Sequence, residues 1–238
     1  AMVDIVEFSP VFAEAADSRF HHVNGIWNSR KPTELLARER GHTYLRPADG
    51  GVTHEEADEA LASADALILA PTVAAATGMW QPADGEEAGR LIGHRVLDRI
   101  ARRRPDLHIV LVSHFLVGHG VTHRNAKPNT WSLRALEAHL RAGPNRWTIL
   151  RPTWLSTIHD PSYQTRLTGD RHADGLVSTE SVAAAVLTAI ENPEAASGRT
   201  AAIYNLSIPE TGSTDLVSQF GALDRDFEAE LLFAAVTE

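Results

Sequence analysis

This sequence predicts an α/β domain with a doubly wound parallel sheet, and three observations carry that reading. His108-Ile109-Val110-Leu111-Val112-Ser113 is a near-unbroken aliphatic run, the pattern of a central parallel strand covered on both faces. Two similar runs, Ala66 to Ala70 and Trp147 to Leu150, are stopped by Pro71 and by Arg151-Pro152. Stretches of helical period lie between the runs, and such alternation builds βαβ units with right-handed crossovers.

Taken in order, Val3 to Phe8 alternates like a strand, and residues 9–30 match no pattern. Lys31 to Arg40 reads as a helix, with Asn28 or Ser29 as cap and Pro32 in its first turn. His42 to Leu45 is the next strand. Thr53 and Glu56 form a capping box ahead of Ala57, Ala60, Leu61 and Ala64, which share a helical face. Glu86 to Arg103 is a long helix with Leu91, Ile92, Val96, Leu97 and Ile100 on one side. Thr130 to Ala142 buries Leu133, Leu136 and Leu140. Thr179 to Glu191 buries Val182, Val186 and Ile190, and Asn192-Pro193 ends it. A short helical tail follows Gly212-Ser213-Thr214. The length of 238 residues, 43% of them hydrophobic, suits a single domain over 1–238. Residues 153–175 and 206–238 are expected to cover its substrate side.

Composition removes several function classes. With no cysteine, disulfides, thiolate catalysis and cysteine-ligated clusters are excluded. A net charge of -9 argues against nucleic acid as a partner. No run approaches the length of a membrane span, so no membrane partner is expected. The start of the chain has no basic region followed by an apolar stretch, so a cytoplasmic location is expected. Ala1 ahead of Met2 reads as a cleavage remnant. Lys31 and Lys127 are the only lysines against 20 arginines, which with abundant alanine suggests a high-GC bacterial genome.

From Asp65 onward the segments resemble a family. Ala64-Asp65-Ala66-Leu67-Ile68, His108 to Gly118, Ala135 to Ala142 followed by Trp147-Thr148-Ile149-Leu150-Arg151-Pro152, and Val177 to Ala183 recur in the order and near-spacing of that family. They are similar to the atypical, NmrA-like branch of the short-chain dehydrogenase/reductases. The resemblance covers residues 65 to about 205, and its best single marker is Trp147 to Pro152. It implies a Rossmann-like sheet with a ligand cleft at the carboxyl ends of the strands and a bound NAD(P).

Dinucleotide binding needs glycines in the first strand-to-helix turn, so that backbone N–H groups reach the pyrophosphate. Leu35 to His42 resembles the family's first helix end, and counting back from it puts Gly25 at the first motif glycine. The later glycines are replaced within Ile26 to Arg30. If Val3 to Phe8 is the first strand, its turn is Ser9-Pro10-Val11-Phe12, with no glycine. Asn28, Ser29, Arg30 and Lys31 at a helix N-terminus can still hold an anion. Arg46, near the end of the second strand, is a candidate for a 2′-phosphate. The resemblance adds Pro71, Thr72, Arg151 and Pro152, all at strand ends, to the cofactor candidates.

Redox chemistry in the resembled family rests on Tyr-x-x-x-Lys. Tyr44, Tyr163 and Tyr204 are followed four positions later by Ala48, Leu167 and Ile208, so no such pair exists. Alignment through Glu137 puts Asn129 at the tyrosine and Leu133 at the lysine. Ser113 survives, and His114 follows it on the cleft side. The candidate catalytic set is therefore Ser113, His114, Asn129 and Trp131. His123 and Lys127 have the right spacing, but Pro128 weighs against a helix there. No metal is expected, because Gly120 and the turn context argue against His119 and His123 as a pair on one helix face. Gly85, Gly89 and Gly93 recur every four residues and indicate close helix packing. The resemblance implies that this helix and the one from Thr130 form a homodimer interface. Trp27, Trp80, Phe115, Trp131 and Trp154 suggest a roomy pocket for a flat or apolar small-molecule substrate. The losses point to a non-standard, non-redox tailoring enzyme, as in secondary metabolism. The alternatives are an NAD(P)-dependent oxidoreductase or isomerase, and a non-enzymatic NAD(P)-sensing or partner-binding protein.

Overall fold

The computed structural model describes residues 1–10, 22–24, 27–47, 50–52, 54–72, 89–90, 92–119, 127–160, 162–207 and 214–226, with side chains left out at 22–24, 50–52 and 127–129. Seven strands form the main sheet: β1 (Asp4–Phe8), β3 (Thr43–Leu45), β5 (Ala66–Leu69), β6 (His108–Val112), β7 (Trp147–Pro152), β9 (Gln164–Thr168) and β11 (Arg199–Leu206). Their order is β3-β1-β5-β6-β7-β11-β9. All neighbours are parallel except β9 on β11. Two small pairs stand apart: β2 (His22–Asn24) with β4 (Gly50–Val52), and β8 (Trp154–Ser156) with β10 (Leu176–Ser178).

The central strands are fully buried because both faces are covered. Every residue of β5 is buried, as are the first four of β6. On one face, α1 (Arg30–Glu39), α5 (Thr179–Glu191) and α7 (Leu216–Ala222) contribute Ala37, Val182, Val186 and Phe220 to one core. On the other, α2 (His54–Ala62), α3 (Asp98–Arg103) and α4 (Lys127–Ala142) contribute Leu61, Ile100, Leu133 and Leu136 to a second core. A short α6 (Pro193–Ala196) follows α5. The chain entering α3 makes a π-helical turn over Gly93–Leu97. Gly89 and Gly93 bring this helix against α4: a Cβ on Gly89 would lie 2.1 Å from the Ser132 carbonyl oxygen, and one on Gly93 2.6 Å from His139 Cγ. The glycine spacing does reflect close packing.

The first strand is Asp4–Phe8, so the chain leaves it through Ser9-Pro10 without a glycine. Gly25 lies outside the described residues, as do Trp80, Thr53, Gly85, Gly120 and His123. β1 sends its chain to β3 on one side, and β3 sends its chain back across β1 to β5. The winding therefore reverses between β1 and β5, where open α/β sheets bind ligands. Within 153–175, Gln164–Thr168 joins the sheet as an antiparallel edge. Residues 214–226 run along that edge to the amino end of β11, where Asp226 N donates to Gly198 O and the Arg199 guanidinium donates to Leu223 O. The side chain of Gln219 lies along β9, accepting from Leu167 N at 2.9 Å and donating to Thr165 O at 3.1 Å. Among the described residues, no helix is long and apolar enough to cross a membrane.

Candidate functional site

At the switch point the pairing of β1 and β5 continues past the strand ends, with Ala70 N donating to Phe8 O and Thr72 N to Pro10 O. Pro71 and Thr72 are half-buried there. At the start of α1, Trp27 and Ser29 are buried, Asn28 is exposed and Arg30 is the first helical residue. Ser29 takes the N-cap position, yet its side chain makes no capping bond. Trp27 Nε1, Ser29 Oγ, Arg30 Nε and Thr72 Oγ1 are all buried with no hydrogen-bond partner among the described residues. Helix N-termini attract anions through their open N–H groups and dipole. Despite the missing glycines, this donor set fits an anionic ligand such as a diphosphate.

Glu7, which the sequence reading overlooked, lies under this mouth. Its carboxylate is fully buried, accepts hydrogen bonds from Ser9 Oγ and, at 3.0 Å, from Tyr44 Oη, and lies 3.3 Å from Arg46 Nε. Burial pushes the Glu7 carboxyl above its ordinary range, against the pull of Ser9, Arg46 and Tyr44. Burial and the neighbouring Glu7 charge push the Tyr44 phenol up as well. Arg46 stands directly after β3, at the strand end expected of it, and is held toward Glu7. A charged residue inside an otherwise apolar strand, Glu7 in Ile5-Val6-Glu7-Phe8, was the signal available in the sequence.

The catalytic candidates divide. Ser113 is buried and donates to Glu137 Oε1 at 2.6 Å. Glu137 also accepts from Arg151 Nε at 3.0 Å and Nη2 at 2.6 Å, and lies 3.2 Å from Arg141 Nη1. Burial raises the Glu137 carboxyl, but Arg151, Arg141 and Ser113 outweigh it and hold the group below the usual carboxylate range. Arg151 is thus occupied by Glu137 on the α4 face, because β7 runs two residues beyond the predicted strand and its side chains alternate between faces. Pro152 is buried at the end of β7, paired with Ile203.

His114 lies past the carboxyl end of β6. It caps the short 3-10 turn Phe115–Val117, its Nδ1 accepts from Leu116 N at 3.4 Å, and its ring lies 5.7 Å from that of Trp154. Phe115 packs on Trp154 at 5.1 Å. Asn129 falls in the first turn of α4, where no side chain is described, and Trp131 is partly exposed one residue past Thr130. His119 Nε2 bonds to Ala173 O at 2.9 Å. A cleft of about 900 Å³ lies over β11 and β9 rather than at the switch point, with Phe115, Arg151, Arg171 and Thr168 in its wall.

The comparisons agree with this architecture. The NAD(P)H-binding family matches residues 9–193, and the chain belongs to that family, with the Rossmann-like fold of the atypical short-chain dehydrogenase/reductases. Among solved structures, it is similar to a putative NAD-dependent epimerase/dehydratase from Bacillus halodurans, at 15% identity and a TM-score of 0.62, covering 93% of this chain and 100% of that one. An oxidoreductase from Lactococcus lactis shares 10% identity at a TM-score of 0.63, covering 92% and 96%. A short-chain dehydrogenase/reductase from Veillonella parvula, solved with NADP, shares 15% identity at a TM-score of 0.52, covering 90% and 98%. No curated protein matches the chain in sequence.

Proposed function

We propose that the protein is an NAD(P)H-dependent oxidoreductase acting on a small, flat organic substrate, with His114 handling the proton in place of a tyrosine. One observation carries the reading: Trp27 Nε1, Ser29 Oγ and Arg30 Nε around the start of α1, and Thr72 Oγ1 past the end of β5, are buried without partners among the described residues. Leaving a buried donor unpaired costs about 1–3 kcal/mol, and a diphosphate at the N-terminus of α1 answers all four. Arg46, turning from Glu7, is the residue for a 2′-phosphate, and Pro71 and Thr72 line the approach. The bound nicotinamide supplies or accepts a hydride. A backbone N–H can only donate, so His114 Nδ1 is the acceptor of the Leu116 bond and the neutral ring carries its proton on Nε2. That proton serves a substrate stacked against Trp154.

The test is a fluorescence titration with NADPH and NADH. Micromolar binding is expected, with Arg46→Ala weakening NADPH more than NADH, and His114→Ala keeping the affinity while losing turnover. Absence of binding at millimolar cofactor overturns the proposal. It would leave a second reading, a cofactor-independent dehydration or rearrangement in a tailoring pathway. That reading is favoured by Leu133, which occupies the lysine position and is buried in the core.

A further inference from the structure

The outer surface of the α3–α4 pair holds a cluster that the nucleotide site does not use. His94 lies in the π-helical turn, Asp98 opens α3 four residues later, and His139 faces them from α4. His94 Nδ1 is 2.9 Å from Asp98 Oδ2, and His139 Nε2 is 2.6 Å from Asp98 Oδ1. The two imidazole rings meet edge to face at 5.0 Å. One ligand atom from each of the three residues lies within 4.8 Å of the others.

We propose that His94, Asp98 and His139 form a binding site for a divalent transition-metal ion of the zinc type, clamping the π-helical turn to α4. Two imidazoles and a carboxylate are the ligands that such ions take, and three protein ligands leave a position for water. Magnesium and calcium prefer all-oxygen shells and are poorly matched. The position of His139 is built rather than accidental. A Cβ on residue 93 would fall 2.6 Å from both Cγ and Nδ1 of its ring, so glycine is what admits the imidazole. The π-helical turn is the second device. It carries His94 four residues ahead of Asp98, the spacing that makes side chains neighbours on a helix surface, and such turns recur at functional sites. The cluster is open to solvent, since the His94 side chain is 65% exposed and that of Asp98 38% exposed. An ion can therefore enter without unfolding. The ring nitrogens that now meet the carboxylate through a shared hydrogen would instead offer lone pairs to the ion, with small side-chain adjustments.

Cobalt(II) titrated into tag-free, chelator-treated protein tests this through its visible absorption, with zinc as competitor in calorimetry. One equivalent is expected to bind saturably and be displaced by zinc. His94→Ala and Asp98→Asn should each lower the affinity about tenfold or more, while His172→Ala, an exposed histidine elsewhere, should change nothing. His94 is exposed, so its removal leaves the fold intact, and an unchanged metal-free melting curve checks this. Zinc should raise the melting temperature of the wild type but not of His94→Ala. No saturable cobalt binding at millimolar concentration overturns the proposal. So does binding that survives both His94→Ala and Asp98→Asn.

Discussion

Ser113 gives its hydroxyl to Glu137 at 2.6 Å, so the one residue kept from the resembled family's catalytic set is tied into a buried ion cluster. Glu137 joins β6, α4 and β7 by holding Ser113 and Arg151 together. Glu137→Ala would leave Arg151 facing a buried gap, and losing one partner of a buried pair costs about 3–5 kcal/mol. Ser113→Ala should cost about 1.5–3 kcal/mol, the range for a hydrogen bond to a charged group. Chemical denaturation should show both losses, and NADPH affinity should be unchanged in Ser113→Ala.

His108 should make the protein sensitive to acid. It is buried, and its Nε2 lies 3.0 Å from Thr148 Oγ1, whose own proton goes to Ala196 O. The ring must therefore donate from Nε2, leaving Nδ1 buried without a partner. Burial, with Arg146 nearby, pushes its pKa down to about 4. The unfolded chain takes up this proton near pH 6.5, before the folded one does, so stability falls as the pH drops from about 6.5 towards 4. The loss is on the order of 3 kcal/mol. His108→Gln should flatten this part of a stability–pH curve measured by urea unfolding; an unchanged slope would refute the assignment.

Two glycines should respond in opposite directions. Gly89→Ala places a methyl group against the Ser132 carbonyl and should cost about 1–3 kcal/mol through overpacking. Gly221 lies in α7 with nothing within 4 Å of its would-be Cβ, and Gly221→Ala should gain about 0.5–1 kcal/mol from helix propensity. Thermal melts of the two variants would separate them.

Glu7 should set the nucleotide preference. Its carboxylate holds Arg46 at 3.3 Å. Glu7→Gln removes the charge and keeps the shape, which should release Arg46 and raise affinity for NADPH relative to NADH. Parallel titrations check it, and an equal change for both cofactors would disprove the link.

Much of the sheet was legible because its central strands are covered twice. β5 and β6 read as apolar runs since no residue in them needs to face water. The edge was not legible: Gln164–Thr168 reads Gln-Thr-Arg-Leu-Thr and becomes a strand only by pairing with β11. Long-range polar contacts were hidden for a similar reason. Glu137 could be quoted as a marker, but its bonds to Ser113, 24 positions away, and Arg151, 14 positions away, follow from strand register and helix placement. The helix glycines announced close contact without naming His139 as the partner. The place of His114, two residues past the carboxyl end of β6, could be read from the sequence because periodicity identifies that strand.

The amide of Gln219 does for β9 what a neighbouring strand would do, meeting one outward N–H and one outward C=O. The opposite margin, β3, is only three residues long. An exposed strand margin is a template on which other chains can add and fibrils can grow. Here one margin is answered from within the molecule and the other offers too little length, so a second copy has little backbone to zip onto. Growth along the main sheet is therefore disfavoured at both of its margins, and a Gln219→Ala variant would be the form in which to look for it.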